Sequence, residues 1–148
     1  MKKQAYTMLA LFVLVGSMAV ASQAQSSGGT RLFANIPFDF TVGNKTLPAG
    51  EYTVAQVNPA SDHPVLQLRN RDGSASAMVQ MMAVIGKAEE SAKLIFNRYD
   101  DKYFFGQAWV DGDENGLRAP KPRAERAIER ELAGTRARTE IIALTTRR

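Results

Sequence analysis

The sequence predicts a mainly β domain, an antiparallel β-sandwich or small barrel of about six to seven strands with one C-terminal α-helix. Three observations predict it. Apolar residues alternate at a two-residue period through most of residues 32–110. Gly, Pro, Asn and Asp punctuate these stretches at short spacing. Beyond Gly116 the strand period gives way to a spacing of four.

Alternation starts at Leu32, where Leu32, Ala34, Ile36, Phe38, Phe40 and Val42 form one apolar set. Pro37 removes a ladder donor, so this strand is expected to run at an edge or to bend there. Gly43-Asn44-Lys45 and Pro48-Ala49-Gly50 read as turns, the second because proline presets one bend and glycine accepts the positive φ after it. Residues 51–57 form a second strand with Tyr52 and Val54 on one face, residues 58–64 a loop, and residues 65–69 a third strand with Leu66 and Leu68 inward. Asp72-Gly73 marks a tight hairpin. A fourth strand over 75–85 carries the apolar set Ala77, Val79, Met81, Ala83 and Ile85. A polar connection, residues 86–92, leads to strands over 93–99 and 102–110. Both are apolar on two faces, which places them centrally or under a covering element. Residues 121–133 read as a helix with Ala124, Ile128 and Leu132 as its stripe and Gly134 at its end. Residues 139–145 suit a final strand.

The 148 residues fit one domain, and 45% hydrophobic content is enough for a packed core. With no cysteine, a disulfide, a thiolate metal site and a cysteine nucleophile are all excluded. The single histidine, His63, excludes any site needing two.

The N-terminus reads as a secretory signal. Lys2 and Lys3 precede an apolar run from Met8 to Val15, and small residues follow, with cleavage expected after Ala24. The run is shorter than the roughly 20 residues a spanning helix needs, and no later stretch is apolar enough to span. The predicted organisation is a signal peptide (1–24), a flexible leader (25–31), a β domain (32–117) and a basic helix and tail (118–148) packed on it. Residues 25–117 carry 8 basic and 11 acidic side chains, net −3. Residues 118–148 carry 9 basic and 4 acidic, net +5, so the basic character sits in the tail.

The stretches IPFDFTVGNKTLPAGEYTV, AKLIFNRYDDKYFFGQAW and RAERAIERELA resemble an uncharacterised family of small exported bacterial proteins. The resemblance rests on Pro37, Phe38, Phe40, Leu47 to Gly50, Tyr52, Leu94, Phe96, Arg98, Tyr99, Trp109 and Ala124 to Arg126. It implies an exported β-rich domain and no catalytic residues.

Four candidate sites follow from residue type and spacing. Tyr52, Phe96, Tyr103, Phe105 and Trp109 suit a pocket for a small apolar ligand, or the core filling a domain of this size requires. Arg123, Arg126, Arg130, Arg136 and Arg138 suit an anionic envelope lipid or polysaccharide, or a solvated face diluted by Glu125, Glu129 and Glu131. Export argues against nucleic acid as the polyanion. Asp111, Asp113, Asn115 and Gly116 match the first half of a calcium loop, but Pro122 stands where a bidentate glutamate is needed, so an acidic loop is the plainer reading. His63 beside Ser61 and Asp62, and the carboxylates Asp39, Glu51, Asp100 and Asp101, are the raw material for hydrolysis, although loop neighbours rarely form a triad. No cofactor is implied. The expected role is an exported, non-enzymatic envelope protein with a structural or interaction function. A carrier of an apolar ligand is the alternative and a hydrolase a distant third.

Overall fold

The computed structural model describes residues 31–133 and 136–146. The signal-like segment 1–24, most of the leader, Gly134 and the terminal Arg147 and Arg148 lie outside the described residues. Among the described residues, twelve strands and one helix follow in order: β1 (Leu32–Ile36), β2 (Phe40–Val42), β3 (Lys45–Leu47), β4 (Gly50–Gln56), β5 (Val65–Asn70), β6 (Ser76–Gln80), β7 (Met82–Ile85), β8 (Lys93–Tyr99), β9 (Lys102–Trp109), β10 (Asn115–Arg118), α1 (Arg123–Glu131), β11 (Arg138–Ala143) and β12 (Thr145–Thr146).

They form two sheets, as expected for a sandwich. The first runs β12-β1-β4-β5-β6 and the second β11-β8-β9-β10-β7, with the β2–β3 hairpin joined to β9. The strand pairs are antiparallel except β2–β9, which pair in parallel at Thr41 and Phe104. Inward residues of both sheets meet in one core that includes Ile36, Phe40, Leu47, Tyr52, Leu68, Leu94 and Phe96.

There are more strands than the six or seven expected because the chain repeatedly changes sheets. Apolar alternation in the sequence continues through the crossings at Pro37 and Met81, so periodicity does not register those breaks. β1 passes to β2 across Pro37, where no backbone donor is available, while Ile36 and Phe40 both stay buried. β3 returns to β4 through Pro48-Ala49-Gly50. Gly50 has φ +155°, Asp39 Oδ1 accepts the Ala49 N–H at 2.8 Å, and the Tyr52 hydroxyl donates to the Pro48 carbonyl at 2.6 Å. The predicted strand over 75–85 divides at Met81, which is buried and donates its N–H to the Pro64 carbonyl at 2.7 Å. Beyond it β7 is the last strand of the second sheet, so the apolar set does not stay inward: Ala83 is exposed and Ile85 is 84% exposed. A fourth crossing at Leu144 sends β11 to the second sheet and β12 to the first.

β8 and β9 are central in the second sheet, as their two apolar faces predict. β10 departs from expectation. The acidic stretch 111–116 was expected to lead towards the helix, yet it closes a β9–β10 hairpin, and Asn115–Arg118 pairs with both β9 and β7. A four-residue strand containing Asn, Gly and Arg carries little period-two signal of its own.

Candidate functional site: the basic face of the C-terminal helix

α1 lies at the outer side of the second sheet, over residues of β8 that alternate away from the core. Pro122 opens it with φ −67°, a conformation that suits the approach to a first turn. Glu125 in the first turn and Arg130 in the last complement the helix dipole.

The face turned to the sheet keeps Ile128 and Leu132 of the predicted stripe but not Ala124. Ala124 is exposed, and the inward stripe is Glu125, Ile128, Glu129 and Leu132 at helical spacing. Glu125 is 1% exposed. Its Oε1 accepts from Asn97 Nδ2 at 2.8 Å and from the Tyr99 hydroxyl at 3.1 Å. The same hydroxyl lies 2.8 Å from Glu129 Oε1, so its single proton is shared between the two glutamates, and Glu129 is also paired with Lys121. The Tyr99 ring is held edge-on against Phe104. Burial pushes the Glu125 carboxyl above its ordinary pKa, against the opposing pull of Asn97, Tyr99 and Lys121. The bond from Lys121 and that from Tyr99 hold Glu129 below its own. Burial and the two glutamates push the Tyr99 hydroxyl up. α1 is thus pinned to β8 by polar groups, a role for Glu125, Asn97 and Tyr99 that helical periodicity alone would not find.

This arrangement changes the charge on the outward face. Arg123, Arg126 and Arg130, at i, i+3 and i+7, are exposed and share one stripe. Of the three glutamates expected to dilute that stripe, Glu125 and Glu129 face the sheet and are engaged there, and Glu131 stays exposed at the helix end. Arg136 and Arg138 are also exposed. Among the described residues, none of these five arginines forms an ion pair.

The other candidates are dispersed. Tyr52, Phe96 and Phe105 lie in the core, where Phe40 contacts both Tyr52 and Phe96 edge-on, with centroids at 5.1 and 5.3 Å. Tyr103 stacks on Phe38 at 3.8 Å, with the Arg98 guanidinium 5.3 Å from its ring centre. Trp109 is buried outside this core cluster and donates its indole N–H to Gln107. The five aromatics therefore do not line one pocket.

The indole instead covers two glycines. A Cβ at Gly116 would lie 2.7 Å from the ring-fusion atoms of Trp109, and one at Gly86 would lie 2.5 Å from the far edge of the ring. Gly116→Ala is expected to destabilise the protein by about 1–3 kcal/mol, because the fused ring atoms cannot move without the whole side chain. Denaturation followed by tryptophan fluorescence checks this. An unchanged midpoint and spectrum would show that the indole yields freely.

In the calcium-like stretch, Asp113 Oδ1 accepts the Asn115 backbone N–H at 2.8 Å and the Asn115 amide at 2.9 Å, and these bonds lower its pKa. Among the described residues, no group of three or more His, Asp or Glu side chains is placed to hold a metal ion. Asp39 anchors the Pro48 turn and Glu51 pairs with Arg71 at 2.6 Å. Asp100 takes φ +53° in the β8–β9 hairpin. Ser61 Oγ accepts the His63 backbone N–H, a local loop bond. Among the described residues, no helix is long and apolar enough to cross a membrane. Comparison with protein-family models, curated proteins and solved structures finds no match for this chain.

Proposed function

We propose that this is an exported, non-enzymatic envelope protein that docks through the basic face of α1 on an anionic polysaccharide. One observation carries the reading: two of the helix's three glutamates, Glu125 and Glu129, are turned to the sheet, which leaves Arg123, Arg126 and Arg130 on the outer face with only Glu131 exposed beside them. Like charges four residues apart weaken a helix by a few tenths of a kcal/mol, and a bound polyanion relieves that repulsion. Guanidinium forks match carboxylates in pairs. A polysaccharide is favoured over lipid because the larger apolar residues of the helix, Ile128 and Leu132, are half-buried, while the exposed positions beside the arginines are Ala124, Ala127 and Glu131. Membrane-surface helices instead bury a broad apolar face in the headgroup region. The carrier alternative needs an internal space, and the rings of Phe40, Tyr52, Phe96 and Phe105 pack against one another there.

The test is retention on immobilised polygalacturonate over a salt gradient. The wild type should bind at low salt and elute as screening increases. Replacing Arg123, Arg126 and Arg130 together with Gln should weaken binding about tenfold, since each exposed pair contributes up to about 1 kcal/mol. No retention of the wild type, or equal retention of the variant, would overturn the reading. Binding to phosphatidylglycerol vesicles but not to polygalacturonate would move it to lipid.

A further inference from the structure

We infer that the outer face of the first sheet carries a second, separate binding site, for a carboxylated sugar. α1 is hydrogen-bonded to the second sheet, on the opposite side of the sandwich. The first sheet presents a groove of ≈ 400 Å³ whose lining includes Arg31, Thr53, Ala55, Gln67, Arg69 and Arg71. Sheet register explains the grouping. Thr53 is opposite Arg69 and Ala55 opposite Gln67, so these four residues alternate outward from the buried Val54 and Leu68. Arg31, just before β1, reaches the same face because Leu32 is opposite Val54.

The charges are distributed in a way that suits one anionic group. Arg71 is paired with Glu51 at 2.6 Å. Asp72 is turned back on its own hairpin, its Oδ1 accepting the Ser74 N–H at 2.8 Å. Among the described residues, Arg31 and Arg69 have no ion pair. Arg69 is also positioned. Its guanidinium occupies the space beside Gly73, where φ is +77° and a Cβ would come within 2.8 Å of Nη2. A guanidinium laid against the turn loses less freedom when it engages a carboxylate. Thr53 and Gln67 supply a hydroxyl and an amide for sugar hydroxyls. Ala55 and the half-exposed Val57, at 49%, give a small apolar floor for the C–H face of a ring.

This inference does not rest on the α1 reading, and the experiment separates them. Binding of galacturonate oligomers is measured by calorimetry for the wild type, for Arg69→Gln, for Gln67→Ala, and for the triple helix variant R123Q/R126Q/R130Q. The groove predicts binding that survives in the triple variant and falls up to about fivefold in Arg69→Gln, with a smaller loss in Gln67→Ala. Neutral galactose oligomers should bind at least about tenfold more weakly than the acidic ones. Loss of all binding in the triple variant with Arg69→Gln unchanged overturns the groove and leaves the helix face standing. Equal binding of the neutral oligomers, or displacement by equimolar inorganic phosphate, also overturns it, because either result removes the sugar-carboxylate specificity.

Discussion

Replacing Phe96 with alanine is expected to lower the unfolding free energy by about 3–5 kcal/mol, the largest effect of any single substitution considered. Phe96 is fully buried at 0% exposure. Its ring meets Phe38, Phe40 and Phe105 edge-on, with centroids at 5.2, 5.3 and 5.8 Å. These neighbours come from the β1–β2 crossing, from β2 and from β9, so the ring joins the hairpin β2–β3 to the centre of the second sheet. Truncation removes the transfer energy of the ring and leaves a cavity that three large neighbours cannot fill by small shifts. Against a total stability of about 5–15 kcal/mol this is a large fraction. Urea denaturation checks it, with Phe96→Leu expected to fall between the two. A loss below about 1 kcal/mol would mean that the ring is not needed to fill the core, and would favour a core with room for a ligand.

Glu125→Ala is the second. It is expected to destabilise by about 1–3 kcal/mol, because Asn97 Nδ2 and one contact of the Tyr99 hydroxyl lose their acceptor in a buried setting. Glu125→Gln keeps an acceptor oxygen in place and removes the buried charge, so it should match or exceed the wild type at neutral pH. The pH dependence follows from the sign of the shift. Burial raises the folded pKa of Glu125 above its ordinary 4.5, so between 4.5 and the folded value the native state binds more protons. Stability from this group is therefore complete below 4.5 and is lost as pH rises through the folded pKa. Glu129 has the opposite shift, so its contribution is present above 4.5 and is lost as pH falls through its lowered folded value. Comparing Glu125→Gln with the wild type isolates the first effect. The melting-temperature advantage of Glu125→Gln should be larger above the raised folded pKa of Glu125 than below 4.5. A difference that does not change as pH rises from below 4.5 to neutral would show that Glu125 is not held in a buried, proton-favouring environment.

The two candidate surfaces were legible to different degrees. The arginines of α1 and the segment after it were visible from composition, because five fall within residues 123–138. Their effective charge was not, because Glu125 and Glu129 are written in the same helix. Only the rotation of α1 about its axis decides which charges face solvent. A stripe drawn through Ala124, Ile128 and Leu132 misplaces that rotation, since polar pins at Asn97 and Tyr99 outweigh one alanine methyl. The groove was not legible at all. Arg31, Thr53, Gln67 and Arg69 are spread over three strand segments and meet only through the register of β1, β4 and β5.

Local chemistry and period two sufficed for what they reach. Alternation placed Leu32 through Val42 inward, and the turns at Gly43, Gly50 and Gly73 adopt the positive φ expected of glycine at such positions. The aromatic strands β8 and β9 took the centre of a sheet because no other position buries both faces. Tertiary structure alone decided where the chain leaves one sheet for the other. The inward set runs through Pro37 without a break, because a core shared by two sheets receives apolar residues equally from either, and the sequence alternation runs on past Met81 although Ala83 and Ile85 are exposed there. The same long-range pairing split the aromatics, sending Phe96 and Phe105 inward and Trp109 outside the core cluster over Gly116. Side-chain period says which residues seek burial, whereas the hydrogen-bonded register between distant strands determines beside whom they are buried.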